Sequence, residues 1–241
     1  MKRLVFAVAA ITAAIASMPV DAADFAAPEE ADAALPSSYS WSGLYVGGTV
    51  GTVSATADVS NVLFEGFDPG IPNFTVEFSG MLAGVTVGAN HQWDNVVAGI
   101  EADYSWSNAE GSYTDPVFNF TVSTRLQSLA SLRGRLGFAV NQLLFYGTAG
   151  AAYGTLEGEL QDVYQAGTVV TTDTQSMLGW TAGVGAEIAV ADNVTLKGEA
   201  LYYDLGTTTY EFFEGPGRIN PVSSDAAVTG WLGWVGANFN F

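Results

Sequence analysis

The chain has no cysteine, so neither a disulfide framework nor a thiolate metal site can be built from it. It has one histidine, His91, which rules out a multi-histidine metal centre and makes no catalytic triad without a nucleophile and an orienting group near it. Basic residues are scarce: seven Lys and Arg stand against 25 Asp and Glu, for a formal charge of −18. Beyond Lys2 and Arg3 the basic set is Arg125, Arg133, Arg135, Lys197 and Arg218. Phosphate-backbone binding needs clustered cations, so nucleic acid is excluded as a partner. Only 13% of residues are charged, about half the share usual in soluble domains. Yet no apolar run after the N-terminus is long enough for a transmembrane helix.

What is present explains that combination. There are 28 glycines, 12% aromatics, and apolar residues that alternate with polar or small ones. Alternation at period two is a strand signal. The last stretch, Ala227 to Phe241, shows it well. Trp231, Val235, Ala237, Phe239 and Phe241 share one face; Trp234, Gly236, Asn238 and Asn240 share the other. A strand ending on aromatic residues suits the closing strand of a membrane barrel, with Phe239 and Phe241 as a closure and assembly signal.

The N-terminus reads as a signal peptide. Met1-Lys2-Arg3 is basic, Leu4 to Ala16 is apolar, and cleavage is expected after Ala22 or Ala23. Residues 23–38 are rich in Ala, Pro and acids without periodicity, and read as a flexible periplasmic lead-in. Residues 39–241 form the third segment, in which eight alternating runs can be traced.

The first run, Trp41 to Gly51, puts Leu44, Val46 and Val50 on one face against Tyr45, Gly47, Thr49 and Gly51. The second covers about Val76 to Gln92, and the third has Val96, Ile100 and Tyr104 opposite Glu101 and Asp103. The fourth, about Phe120 to Val140, sets Leu126, Leu132 and Leu136 against Arg125, Arg133 and Arg135. The fifth sets Phe145 and Tyr153 against Tyr146 and Thr148, and the sixth sets Leu178, Trp180 and Val184 against Thr181 and Glu187. The seventh opposes Leu196, Ala200 and Tyr202 to Lys197, Glu199 and Tyr203. Short turns lie at Trp93-Asp94-Asn95, Asn141-Gln142 and Ala191-Asp192-Asn193; long polar loops are expected over 55–73, 107–119, 155–174 and 206–225. Eight antiparallel strands with alternating short and long connections predict an all-β, up-and-down transmembrane barrel, turns in the periplasm and loops outside. A soluble barrel would reverse the faces, with apolar residues inside.

Charged strand residues cannot face hydrocarbon, so Glu101, Asp103, Arg125, Arg133, Arg135, Glu187, Lys197 and Glu199 are expected to pair inside the lumen. An eight-stranded barrel is just wide enough for side chains to fill. Two readings of the network stand: a solid polar core, or a narrow gated pore. The expected loops are acidic, with Arg218 as their one clear counter-charge. They offer a surface for an external ligand and, through divalent cations, for lipopolysaccharide.

Five motifs occur in order: Trp41-Ser42-Gly43-Leu44-Tyr45-Val46-Gly47-Gly48, Gly99-Ile100-Glu101-Ala102-Asp103-Tyr104, Leu132-Arg133-Gly134-Arg135-Leu136-Gly137, Leu201-Tyr202-Tyr203-Asp204-Leu205-Gly206 and Asn238-Phe239-Asn240-Phe241. Together they resemble the small outer-membrane β-barrel proteins of alphaproteobacteria, the porin-like, opacity-type superfamily with an OmpA-like barrel. The chain departs from that pattern at Trp234, where relatives often carry a basic lumen residue. The resemblance implies an exported outer-membrane protein, not an enzyme, and some relatives are associated with haem. The expected function is structural and surface-related, in envelope integrity and loop-mediated interaction. Its partners would be outer-membrane lipids, lipopolysaccharide and the assembly machinery, and no cofactor or metal is called for. The alternative is a narrow porin-like channel, or a haem- or ligand-binding surface protein in uptake. His91 could ligate haem axially, but it belongs to the periplasmic end.

Overall fold

A computed structural model describes residues 39–64, 72–115, 120–164, 167–213 and 221–241. The signal peptide and lead-in expected over residues 1–38 lie outside them, as do the tips of the long connections. Eight strands follow in chain order: β1 (Gly43–Phe64), β2 (Phe74–Trp93), β3 (Val96–Thr114), β4 (Phe120–Val140), β5 (Leu143–Tyr164), β6 (Gly167–Ala191), β7 (Val194–Phe213) and β8 (Pro221–Asn240). Each pairs antiparallel with its sequence neighbours, and β8 returns to β1 to close the barrel. The seam runs from Tyr45 opposite Asn240 to Phe64 opposite Val222. Beyond it the Phe241 amide donates to the Leu44 carbonyl at 2.9 Å.

The strands join at one end through two-residue turns, two of which place Asp94 and Asn141 at positive φ, where Asp and Asn are tolerated. That end carries aromatic residues on its outer face: Trp93 edge-on to His91, Phe138, Phe145, and Phe239 edge-on to Phe241. A second aromatic level lies further up, at Tyr104 with Trp106 and at Trp180, Tyr202 and Trp231 in contact. Between the levels the outer face is apolar, as at Leu44, Ile100, Leu132, Leu136 and Val184. From Val96 to Trp106 is eleven residues, which matches the roughly 9–11 tilted residues a barrel strand needs to cross a bilayer.

The strands do not stop there. They run 19 to 25 residues, about twice the crossing length. The long loops expected from the sequence are therefore largely strand: β1 continues to Phe64, β3 to Thr114, β5 to Tyr164 and β7 to Phe213, and β6 and β8 begin at Gly167 and Pro221. In these extensions the chemistry of the two faces is exchanged. On β1, Thr52, Ser54 and Asp58 point out while Val53, Ala55, Ala57 and Val59 are buried inside. The strand keeps its register and its parity, but the apolar residues change sides. On β4 and β7 the exchange involves one-residue bulges, between Leu126 and Ser128 and between Asp204 and Thr207, the latter with Gly206 at φ +73°.

The interior accordingly has three levels. Nearest the turns, Trp41, Val97, Ala139, Leu144 and Tyr146 form an apolar plug, capped by Tyr39. Above it lies a layer of charges. Above that, a large apolar core fills the extensions, including Val76, Phe78, Leu126, Leu129, Leu156, Leu201 and Leu232.

Candidate functional site: the buried charge layer

Period-two alternation on strands locked by two neighbours fixes which side chains enter the lumen. Glu101 and Asp103 come from β3, Arg133 and Arg135 from β4, Glu187 from β6, and Lys197 and Glu199 from β7, all buried. Arg133 is only 1% exposed and Glu101 2%. Cross-strand register sets Glu101 beside Arg133 and Glu187 beside Lys197.

Arg133 is the hub. Its Nη2 lies 2.6 Å from Glu101 Oε1, 3.1 Å from Asp103 Oδ1 and 3.3 Å from Glu199 Oε2. Arg135 Nη2 reaches Glu187 Oε2 at 2.8 Å, and Lys197 Nζ reaches Glu101 Oε2 at 2.8 Å. Burying ions is costly, and it is tolerated only where hydrogen bonds satisfy the remaining lone pairs. Neutral donors supply them here. The Tyr45 hydroxyl donates to Glu101 at 2.7 Å, and those of Tyr146 and Ser131 to Glu199 and Asp103. Glu187 accepts from the Thr195 hydroxyl and from Asn238 Nδ2. Trp234 Nε1 donates to Glu199 at 2.5 Å, and its ring lies 5.6 Å beneath the Arg133 guanidinium. Arg135 stacks over Tyr146 at 4.0 Å.

Two glycines make this packing feasible. A Cβ at Gly88 would fall on the Tyr45 phenol, and one at Gly185 on the Tyr146 phenol. Only a bare backbone leaves those rings the room to reach Glu101 and Glu199.

Arg125 does not belong to the layer. It is exposed on the outer face of the extension and pairs at 3.4 Å with Glu110, itself exposed. The bulge between Leu126 and Ser128 reverses the parity of β4, so odd-numbered residues point in above it in sequence and out before it. Leu129 was the available signal: it is apolar yet shares parity with Arg125 and Arg133, and it is buried in the upper core. The neutral partners Tyr45, Tyr146, Thr195 and Asn238 were not among the expected network members. All four share the inward face with the charges, so parity alone nominates them.

Among the described residues no group of three or more His, Asp and Glu side chains is placed to hold a metal ion. His91 lies exposed on the outer face beside Trp93, its ring 4.3 Å away, at the turn end of the barrel. Phe239 and Phe241 are exposed on the same rim, Phe241 at 76%.

Comparison with known proteins decides the family. Residues 7–239 match the sequence model of the outer membrane protein beta-barrel domain. The chain belongs to that family. It is 32% identical over 212 residues to the 31 kDa outer-membrane immunogenic protein of Brucella melitensis, covering 86% of this chain and 88% of that one. It is 30% identical over 176 residues to the 22 kDa outer membrane protein of Rhizobium leguminosarum, covering 73% and 70%. In fold it is similar to the outer membrane protein OprG of Pseudomonas aeruginosa, with a TM-score of 0.57 at 15% identity, covering 84% and 97% of the two chains. The protein is an outer-membrane β-barrel of the porin-like, OmpA-like kind.

Proposed function

We propose that the protein is a structural and surface barrel, not a conduit and not an enzyme. It stiffens the envelope and presents an acidic, water-exposed collar outside the membrane. The observation that carries this reading is the filled lumen: an apolar plug, an ion-paired layer and an apolar core follow one another along the axis. A permeant ion would have to displace both the core and the paired charges, since an eight-stranded barrel leaves no free bore once its side chains are placed. The buried ionisable groups hold one another, which supports a non-catalytic role.

Planar-bilayer recording of the purified, refolded protein tests the reading. No steady conductance is expected; a steady open state would sink it in favour of a narrow channel. Spectral titration with haem, with no shift expected, addresses ligand uptake in the same preparation.

The collar carries Asp58, Glu77, Glu110 and Glu211 exposed on its outer face, the chemistry that would meet lipopolysaccharide through divalent cations or an external ligand directly. Lipids would cover the apolar band. Phe241, exposed on the rim and tied by its backbone to Leu44, has little to do for the folded core. Its place fits recognition by the assembly machinery. Deleting Phe241 should lower the amount in the outer membrane while leaving the melting midpoint of refolded protein unchanged; normal outer-membrane levels would count against this role.

A further inference from the structure

The charge layer does not balance. Four carboxylates (Glu101, Asp103, Glu187 and Glu199) share the buried interior with three cations (Arg133, Arg135 and Lys197). Fully ionised, the layer would bury one uncompensated negative charge between an apolar plug and an apolar core, which is strongly unfavourable.

The hydrogen bonds show where the imbalance falls. Glu101 meets three cations and the Tyr45 hydroxyl. Glu199 meets Arg133, Tyr146 and Trp234, and Glu187 meets Arg135, Thr195 and Asn238. Both oxygens of each are engaged. Asp103 differs: its Oδ1 takes Arg133 and Ser131, while its Oδ2 is buried with no partner, alone among the carboxylate oxygens of the layer. Asp103 also sits at the boundary, next below Ser105 on the inward face of β3. The Ser105 hydroxyl, and that of Tyr203 on β7, are likewise buried without partners. Beside Tyr203 a void of about 20 Å³ is lined by Leu126, Leu129 and Leu205 among others.

We propose that Asp103 is a proton-binding site: it is held as a neutral carboxylic acid, so that three carboxylates face three cations and the fourth carries the proton on Oδ2. A proton fits where a metal cation does not. A small cation needs several oxygen ligands, and among the described residues no three carboxylate or imidazole side chains are placed to hold one. The groups around Asp103 are Arg133 and Ser131 on β4, Thr86 on β2 and Tyr203 across the lumen on β7, with Glu101 on its own strand and Glu199 on β7 sharing its Arg133. Of these only Arg133 is a cation, and it is shared with Glu101 and Glu199. Dissociation would pass the proton to solvent and leave the layer one charge negative, so the site is a pH-sensitive element of the barrel. The proposal rests on the closed-lumen reading, because a water-filled bore would solvate Asp103 as an ordinary carboxylate.

Infrared spectroscopy of the refolded wild-type protein in a bilayer, beside the conductance measurement, tests it. The carbonyl stretch of a protonated carboxyl group is expected at neutral pH. It should disappear at alkaline pH as the thermal midpoint falls, and it should be missing from Asp103→Asn. That variant mimics the neutral acid and is expected to keep the wild-type midpoint at pH 7 and to hold it as pH rises. The absence of a protonated-carboxyl band from a non-conducting barrel would overturn the proton site and leave the closed lumen standing. Persistence of the band in Asp103→Asn, with loss in Glu187→Gln or Glu199→Gln, would overturn the assignment to Asp103. A midpoint that depended on sodium against choline would overturn the proton in favour of a metal cation.

Discussion

Below the upper aromatic level the barrel is apolar outside and holds a charge layer inside, over an apolar plug; above it, the same strands are polar outside and apolar inside. Residues 44–50 of β1 send Leu44, Val46 and Val50 to the outer face and Tyr45 and Thr49 inward. Only a few residues on, Val53 to Val59 fill the interior while Ser54 and Asp58 meet water. Backbone geometry is the same in both regions. The difference lies in what surrounds them: hydrocarbon demands an apolar outer face, so polar residues go inside and must pair, while water takes the polar face and the interior reverts to an ordinary core. The membrane half is specified by hydrogen bonds and charge pairs, and the collar by packing.

Substitutions should separate the two regimes. The largest effect is expected for Arg133→Met, which removes the cation shared by three carboxylates of the buried layer: about 3–5 kcal/mol in urea unfolding of the refolded protein, with a loss well below that indicating a hydrated layer. Next comes Leu156→Ala. Leu156 is fully buried in the upper core, and a cavity there should cost about 2–5 kcal/mol; near-neutrality would mean the collar is not packed as a core.

A smaller effect belongs to Tyr210, inside the collar. Burial and the neighbouring Asp173 push its phenol up to about 12. Since the folded value is raised, the contribution to stability is complete below the unfolded value near 10 and is lost as pH rises through about 12. Tyr210→Phe should therefore flatten the fall of the thermal midpoint over that window, and an unchanged slope would count against the packing of Tyr210. The smallest effect is expected for Arg125→Ala. Its pair with Glu110 is exposed on both sides, so the change should stay under about 0.5 kcal/mol. A loss comparable to that of Arg133→Met would place Arg125 inside after all.

The reading of the chain succeeded where alternation stayed in one phase and faltered where it changed. The apolar outer faces of Ile100, Leu132 and Val184 and the burial of Glu101, Arg133 and Lys197 follow from period two alone. The extensions resemble loops in the sequence because Val53 to Val59, apolar on the face that has just been polar, look like the end of a pattern. Parity counted along β4 puts Arg125 in the lumen for the related reason that a bulge shifts parity without any distinctive residue at the bulge itself. The neutral donors were legible only as inward-facing residues. That Tyr45 reaches Glu101 and Tyr146 reaches Glu199 depends on strands two positions apart around the barrel, and on bare backbone at Gly88 and Gly185.

The sequence by itself determined the class of environment and the strand count. Alternation, sparse charge and aromatic strand ends leave few alternatives for a chain that must satisfy every backbone group within lipid. Only the tertiary structure decided which charges meet, where the lumen is sealed, and that the strands continue beyond the membrane as a second, water-facing barrel. The reason is physical. Parity is a local property of a strand, carried residue by residue. Partner choice and phase reversal are properties of eight strands closed on one another, where a side chain's neighbours come from across the ring.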